Sequence, residues 1–375
     1  MKVKNFKKLI LPSAFMIIIV GLSLFTFALP KKEYSEKEKR YLTKFPEFTL
    51  ESIANGDFQD GFEKYVSDHI PVRDFFVGLN SYFSLAMGRN SVSDIYYGKD
   101  GYLINAPKNS DTENFEKNLK NFNVFSKSVK IPSSILIVPR TGYIMEDKLP
   151  LFHAEYDDDT FFKTASEITT GMNFIDTRKV LFDAAKDRQV YYRTDHHLTT
   201  GGTYELYKQY CELNGLGYPK EDSYIIKKTD GFLGTAASAS GYNLTKGDTV
   251  EMWVGSENVT ITINDGSSDK VYDTMFFEEH LKKDDKYPVF LDGNHALTII
   301  ENDEVKSGNL LLIKDSYAHA LAPFLAHNYN KIYLVDMRYY RKSVSELIDE
   351  NDIDSILYIY GLDTLITDTN SAWLQ

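Results

Sequence analysis

Two short runs carry the groups from which acyl chemistry is built: Thr194-Asp195-His196-His197 and, about 120 residues later, Lys314-Asp315-Ser316-Tyr317. A carboxylate, an imidazole and a serine hydroxyl are the parts of nucleophilic acyl transfer. The imidazole takes the hydroxyl proton, and the carboxylate orients the ring and stabilises its cation. In an extended segment residues i and i+2 point the same way, so Asp195 is read as orienting His197. Ser316 is then the nucleophile, His197 the general base and acid, and His196 a structural or substrate-side residue. The serine follows an apolar run and opens a helical pattern at Tyr317, where unpaired N–H groups and the helix dipole favour developing negative charge. Each motif also has an ordinary reading, as a helix cap for the serine and a capped turn for Asp-His-His.

Further candidates stand at the ends of other apolar segments. Arg140 ends Ser133–Val138-Pro139 and is a candidate contact for a glycan or an acyl group. Asn294, in Gly293-Asn294-His295, offers an oxyanion amide, although a Gly-Asn turn explains it equally simply. Arg338 and the following Tyr339 and Tyr340 come just after strand 331–335 and are candidates to line the same crevice. In open α/β sheets that crevice, beyond the carboxyl ends of the strands, is where ligands bind.

The elements that must position these groups alternate. Helical spacing covers about 57–67, 73–87, 114–128, 160–170, 178–187, 202–214, 317–328 and 342–350. Short apolar strands cover 133–138, 173–175, 190–192, 309–314, 331–335 and 354–360. Thr199 or Thr200 caps the helix at 202–214. Apolar strands alternating with helices predict a parallel, doubly wound α/β sheet. Residues 93–103 read as a hairpin, and 220–300, with β-branched alternation at 259–263 and a turn at Asp265-Gly266-Ser267-Ser268, read as a mostly β insertion.

The N-terminus sets the compartment. Lys2, Lys4, Lys7 and Lys8 precede an uncharged stretch from Leu9 to Leu29, long enough to span a bilayer. No A-x-A-like exit follows, so an uncleaved signal anchor is expected. The preceding lysines place residues from about 31 onward outside the cell. Residues 31–60 read as a charged tether and 61–375 as the catalytic domain. The single cysteine, Cys211, rules out an intramolecular disulfide. The whole chain carries a net charge of −12, and removing the four N-terminal lysines leaves the exported part at about −16. That surface repels nucleic acid and other polyanions; a neutral or cationic polymer is the easier substrate.

Thr194–Thr199, Lys314–Tyr317 and Ile332–Tyr340 resemble the DHHW protein family of Gram-positive bacteria, a relative of the SGNH-hydrolase-like domains of alginate O-acetyltransferases. The likeness extends upstream to Ser35–Arg40, Phe45-Pro46, Asp68–Arg73 and Gly98–Leu103. It implies an SGNH-like fold with a triad carried over onto Asp195, His197 and Ser316, permuted so that the serine comes last. It further implies no cofactor and an exopolysaccharide substrate, with acetyl groups delivered across the membrane by a membrane-bound O-acyltransferase. One departure is Leu198, where the family's fourth letter is Trp; its loss bears on substrate stacking more than on the triad. Two rivals remain, a non-catalytic glycan-binding or assembly protein and a metal-dependent phosphoesterase. The second lacks the early Asp-x-Asp that a two-metal site usually needs.

Overall fold

The computed structural model describes residues 2–35, 40–108, 111–256, 258–264 and 268–374. It divides into two units, Met1–Arg89 with Ser238–Asn243, and Asn90–Ala237 with Leu244–Gln375. Residues 36–39 of the Ser35–Arg40 run and most of the turn expected at 265–268 lie outside the described residues.

The smaller unit begins with helix α1 (Lys2–Ala28), whose Ile10–Ala28 stretch is long and apolar enough to cross a membrane, with a mean hydropathy of 2.3. A short helix at Leu50–Ala54 is followed by two longer ones, α2 (Asp57–His69) and α3 (Arg73–Ala86), separated by Ile70-Pro71-Val72. Asp68 explains why the segment after the span is not a free tether. Its buried carboxylate takes the Arg40 guanidinium (Nη1–Oδ2 3.0 Å) and both the N–H and the hydroxyl of Thr43, each at 2.8 Å. The His69 ring completes the clamp through Nε2 and the Thr43 carbonyl, 3.0 Å apart.

The larger unit is an α/β layer structure. In chain order its main elements are α4 (Thr112–Val129), β1 (Ser133–Val138), α5 (Asp158–Ile168), β2 (Asn173–Asp176), α6 (Arg178–Ala184) and α7 (Thr200–Asn214). The hairpin β3 (Ile225–Phe232) and β4 (Asp248–Val254) follows, and then β5 (Val259–Asn264), β6 (Asp269–Tyr272), β7 (Leu297–Asn302) and β8 (Asn309–Lys314). The chain closes with α8 (Ala318–Leu325), β9 (Lys331–Val335), α9 (Val344–Glu350), β10 (Ser355–Gly361) and α10 (Leu362–Thr367). Eight of these strands form one sheet in the order β6-β5-β7-β9-β8-β10-β1-β2, parallel from β9 to β2 and antiparallel at the other end.

Strand periodicity distributes the core. Leu136, Val138, Leu310, Leu312, Leu357 and Ile359 point to one face, where α7 and α8 cover them. Ile135, Ile137, Leu311, Ile313, Tyr358 and Tyr360 point to the other, covered by α4, α5, α9 and α10. Burial on both faces is why these strands read as unbroken apolar runs. Thr199 caps α7, accepting from the Gly202 N–H at 3.1 Å, and Gly215 ends it in the left-handed conformation at φ 66°.

The stretch 220–300 is mostly β, as expected: β5, β6 and β7 extend the main sheet, while β3 and β4 pair apart from it. Alternation fixes the strands but not their partners. One expectation is corrected. Val190–Tyr192 forms no strand of the sheet: Tyr191 makes a single bridge with Leu198 and closes the Asp-His-His loop on itself.

Two outcomes follow from this packing. Leu312→Ala, at a site with no solvent exposure, should cost on the order of 3 kcal/mol, seen as a lower denaturant midpoint. Arg40 beside Asp68, helped by Thr43, holds that carboxyl well below the usual range. Its contribution is therefore present above the ordinary aspartate pKa and lost as pH falls through the depressed value. Asp68→Asn should speed hydrogen exchange of residues 40–45 at neutral pH, and unchanged exchange there would refute the clamp.

Candidate active site

The structure brings Asp195, His197 and Ser316 together. Ser316 Oγ lies 2.7 Å from His197 Nε2, and His197 Nδ1 lies 2.5 Å from Asp195 Oδ1. Asp195 and His197 are buried, while Ser316 keeps partial exposure. The pairing does not arise from an extended segment. The chain turns, and the His197 N–H donates to Asp195 Oδ1 at 2.9 Å, so the carboxylate fixes the backbone and the ring at once.

The other oxygen of Asp195 accepts the Thr235 N–H at 2.7 Å and its hydroxyl at 2.8 Å. This approach needs glycine before it, since a Cβ on Gly234 would stand 2.2 Å from the Asp195 Cβ and 2.4 Å from Oδ2. Further back, the buried Asp248 carboxylate accepts from the Arg193 N–H (3.0 Å), the Thr194 N–H (2.9 Å) and the Thr194 hydroxyl (2.7 Å). It thereby pins the start of the Asp-His-His loop. Nothing local in the sequence marks Gly234, Thr235 or Asp248, which reach the loop from 40 to 55 residues away.

Tyr287 is a second contributor that sequence reasoning missed. Its ring stacks on the His197 imidazole, centroids 3.8 Å apart and planes 13° apart, and its hydroxyl donates to the Ser316 carbonyl at 3.2 Å. It therefore touches the His197 ring and the Ser316 backbone together. Its sequence neighbourhood, Lys286-Tyr287-Pro288, reads only as loop.

The turn that presents Ser316 is held by Asp315. Its carboxylate accepts the Tyr317 N–H at 3.0 Å and, from the end of β10, the Gly361 N–H at 2.8 Å. Burial raises the pKa of this carboxyl, although both N–H groups favour the anion. The Tyr317 N–H is thus committed. Among the described residues the Ser316 N–H has no acceptor, so it rather than Tyr317 is the amide able to meet an oxyanion. The Tyr317 hydroxyl donates to the His196 carbonyl at 2.8 Å, and its ring lies against Gly361, where a Cβ would come within 2.4 Å.

Behind the strand end lies a buried charged group. Lys314 Nζ approaches Asp336 Oδ2 at 3.0 Å and His319 Nε2 at 2.8 Å. Burial drives His319 well below its ordinary pKa and keeps the ring neutral, able to accept from lysine. Burial opposes the charge of Asp336, but Arg338 and Lys314 outweigh it and hold the carboxyl low. Arg338 is committed here, at 2.6 Å from Asp336, and its other contact is the exposed Asn294, at 3.0 Å. These two candidates pair with each other through the Asn294 side-chain oxygen. Tyr340 packs in the core and Tyr339 is half exposed, so they do not line the crevice as a pair.

His196 and Arg140 do meet, across a cavity of about 200 Å³ lined also by Lys108, Tyr317, Asp363 and Thr364. Arg140 is buried, paired with Asp158 at 2.6 Å and with Asp363 at 3.8 Å. His196 contacts Thr235 Oγ1 through Nδ1 at 2.8 Å. Leu198 is buried in the core, so replacing the family tryptophan there alters packing rather than a surface offered to substrate.

Asp195, His196 and His197 group closely enough to hold a metal ion, as do Glu279, His280 and Asp292. At the first group both ring nitrogens of His197 already face partners, Nδ1 toward Asp195 and Nε2 toward Ser316, and a metal on Nδ1 would displace the hydrogen bond to Asp195. The donor set fits proton relay better than coordination.

The family model described as DHHW protein matches residues 170–335. No curated protein matches the chain. Among solved structures, a DHHW family protein from Eubacterium siraeum is 20% identical, with TM-score 0.65 over 76% of this chain and 95% of that one. Bacillus cereus PatB1 with a sulfonyl adduct is 18% identical, with TM-score 0.62 over 75% and 98%. A slighter likeness, TM-score 0.47 at 14% identity over 73% and 93%, to the O-acetyltransferase domain of Pseudomonas putida AlgJ supports no inference. The matched segment contains all three relay residues, and the chain shares its α/β fold with these structures.

Proposed function

We propose that the chain is a membrane-anchored, extracytoplasmic O-acetyltransferase or acetylesterase of a cell-surface or exported polysaccharide, working through an acyl-Ser316 intermediate. The observation that carries this reading is the continuous relay from Ser316 Oγ through His197 to the buried Asp195, 2.7 and 2.5 Å in length. Ser316 Oγ attacks the acyl carbonyl while its proton passes to His197 Nε2. Asp195 stabilises the imidazolium, and the Ser316 N–H faces the oxyanion. Collapse expels the donor's leaving oxygen with the proton held on Nε2. A glycan hydroxyl or water then gives its proton to the same nitrogen and attacks the acyl-serine, restoring the free hydroxyl.

The cavity beside His196 and Tyr317 supports a sugar acceptor. Its volume suits one ring, and Arg140, Lys108, Asp363 and Thr364 offer the donors and acceptors that a polyol needs. The N-terminal span supports action outside the membrane, with a membrane-bound O-acyltransferase as the source of acetyl groups.

The test is mass spectrometry of the full chain in detergent after exposure to an activated acetyl ester, and separately to a sulfonyl fluoride, the reagent class suggested by the PatB1 adduct. Both groups should appear on Ser316 and vanish in Ser316→Ala. Unchanged labelling, or unchanged glycan acetylation in cells carrying Ser316→Ala, would leave a scaffold role. Ser316→Ala should lower turnover by at least about 10³-fold. Gly234→Ala, which drives a methyl into Asp195, should cut turnover by about 10²-fold or more if the carboxylate orients the base, with the folded state checked by circular dichroism.

A further inference from the structure

Helix α3 is packed inside out. Its small residues Gly78, Ser81 and Ser84 are buried, and a Cβ on Gly78 would come 3.2 Å from the Gly241 carbonyl. The Ser81 hydroxyl donates to the Ser240 carbonyl at 2.5 Å. The large apolar residues face outward instead: Val72, Phe75, Leu79, Phe83 and Met87 are each more than half exposed, with Phe76 beside them at 38%. They recur at three- and four-residue intervals and form one stripe. From Phe75 to Gly88 the chain carries no charge, with Asp74 just before that stretch and Arg89 just after it. Small residues inside and large apolar ones outside is the pattern of a helix whose outer environment is not water.

The same unit contains the membrane-spanning stretch and is packed against its end. Phe27 stacks on Phe62 of α2, centroids 6.2 Å apart and planes 17° apart. Thr26 is buried, and the Lys31 ammonium lies 5.9 Å over the Tyr65 ring. The last turn of α1 thus meets α2 directly, and α2, about 20 Å long at 1.5 Å per residue, runs through a three-residue turn into α3. We propose that the outward face of α3 seats in the interfacial layer of the bilayer crossed by α1, as a second attachment beside the span. Phe75, Leu79, Phe83 and Met87 enter the acyl boundary, and the exposed Arg89 lies at headgroup level; Arg73 is turned back onto the Ser67 carbonyl, 2.9 Å away. This rests on the reading of α1 as a retained anchor.

The test uses the full chain reconstituted in phosphatidylcholine–phosphatidylglycerol vesicles, with a polarity-sensitive fluorophore on a cysteine at position 79 or 83. The native Cys211 is buried and stays unlabelled, and a label at position 213 on α7 supplies the solvent reference. Labels at 79 and 83 should be blue-shifted from that reference and quenched by lipids spin-labelled near the headgroup. Leu79→Glu with Phe83→Glu should shift a label at position 75 back toward water without unfolding the chain. Alkaline extraction of the vesicles separates the two premises. Release of the protein would overturn the anchor and this proposal together. Retention with unquenched labels at 79 and 83, or labels shielded only by a second copy or another protein, would overturn this proposal alone.

Discussion

The site depends on one buried carboxylate whose two oxygens are both satisfied by protein. Asp195 takes the N–H and ring of His197 on one side and the N–H and hydroxyl of Thr235 on the other. An ionised carboxylate away from water is tolerable only with such donors. The same bonds join the Asp-His-His loop to the Gly234-Thr235 segment. Desolvation and orientation therefore have a common solution: the contacts that keep the charge stable also leave His197 one direction in which to face. Tyr287, lying flat on the ring, closes off its other side.

Charge is handled differently beneath Ser316. Lys314 and Asp336 form a buried ion pair to which the partly exposed Arg338 is joined, with neutral His319 accepting from the lysine. Such a group gives little net stability over an apolar core, but removing one member leaves an uncompensated charge. Lys314 ends β8 and Asp336 directly follows β9, so the cluster locks the tips of two neighbouring strands at the position where Ser316 must be presented.

The parallel half of the sheet was legible because its strands are buried on both faces. Ser133–Val138, Asn309–Lys314 and Lys331–Val335 stand out as apolar runs with the bounds the structure gives. The residues of the relay were legible too, by type and by place at turns. What was not legible is pairing across distance. The alternation at 259–263 marks a strand without saying that it joins the main sheet through β7. Asn294 and Arg338 looked like site residues because each follows a turn or a strand, yet they satisfy each other. Tyr287, Asp248 and Gly234 act only through tertiary contact, and a single tyrosine, aspartate or glycine in a loop carries no local sign of that. Position 198 shows the converse, since adjacency to the histidine suggested a substrate surface while the turn of the loop sends the side chain into the core.

The C-terminal strand β10 lies in the middle of the sheet, between β8 and β1, and its Gly361 N–H holds Asp315 while its backbone makes room for Tyr317. The turn that carries Ser316 is therefore shaped by an amide 46 residues further along the chain. Cutting the chain anywhere before Ser355 would remove at one stroke the strand that joins β8 to β1 and the donor that holds Asp315. The local shape of this turn is in that sense a property of the assembled sheet, not of the segment that makes it.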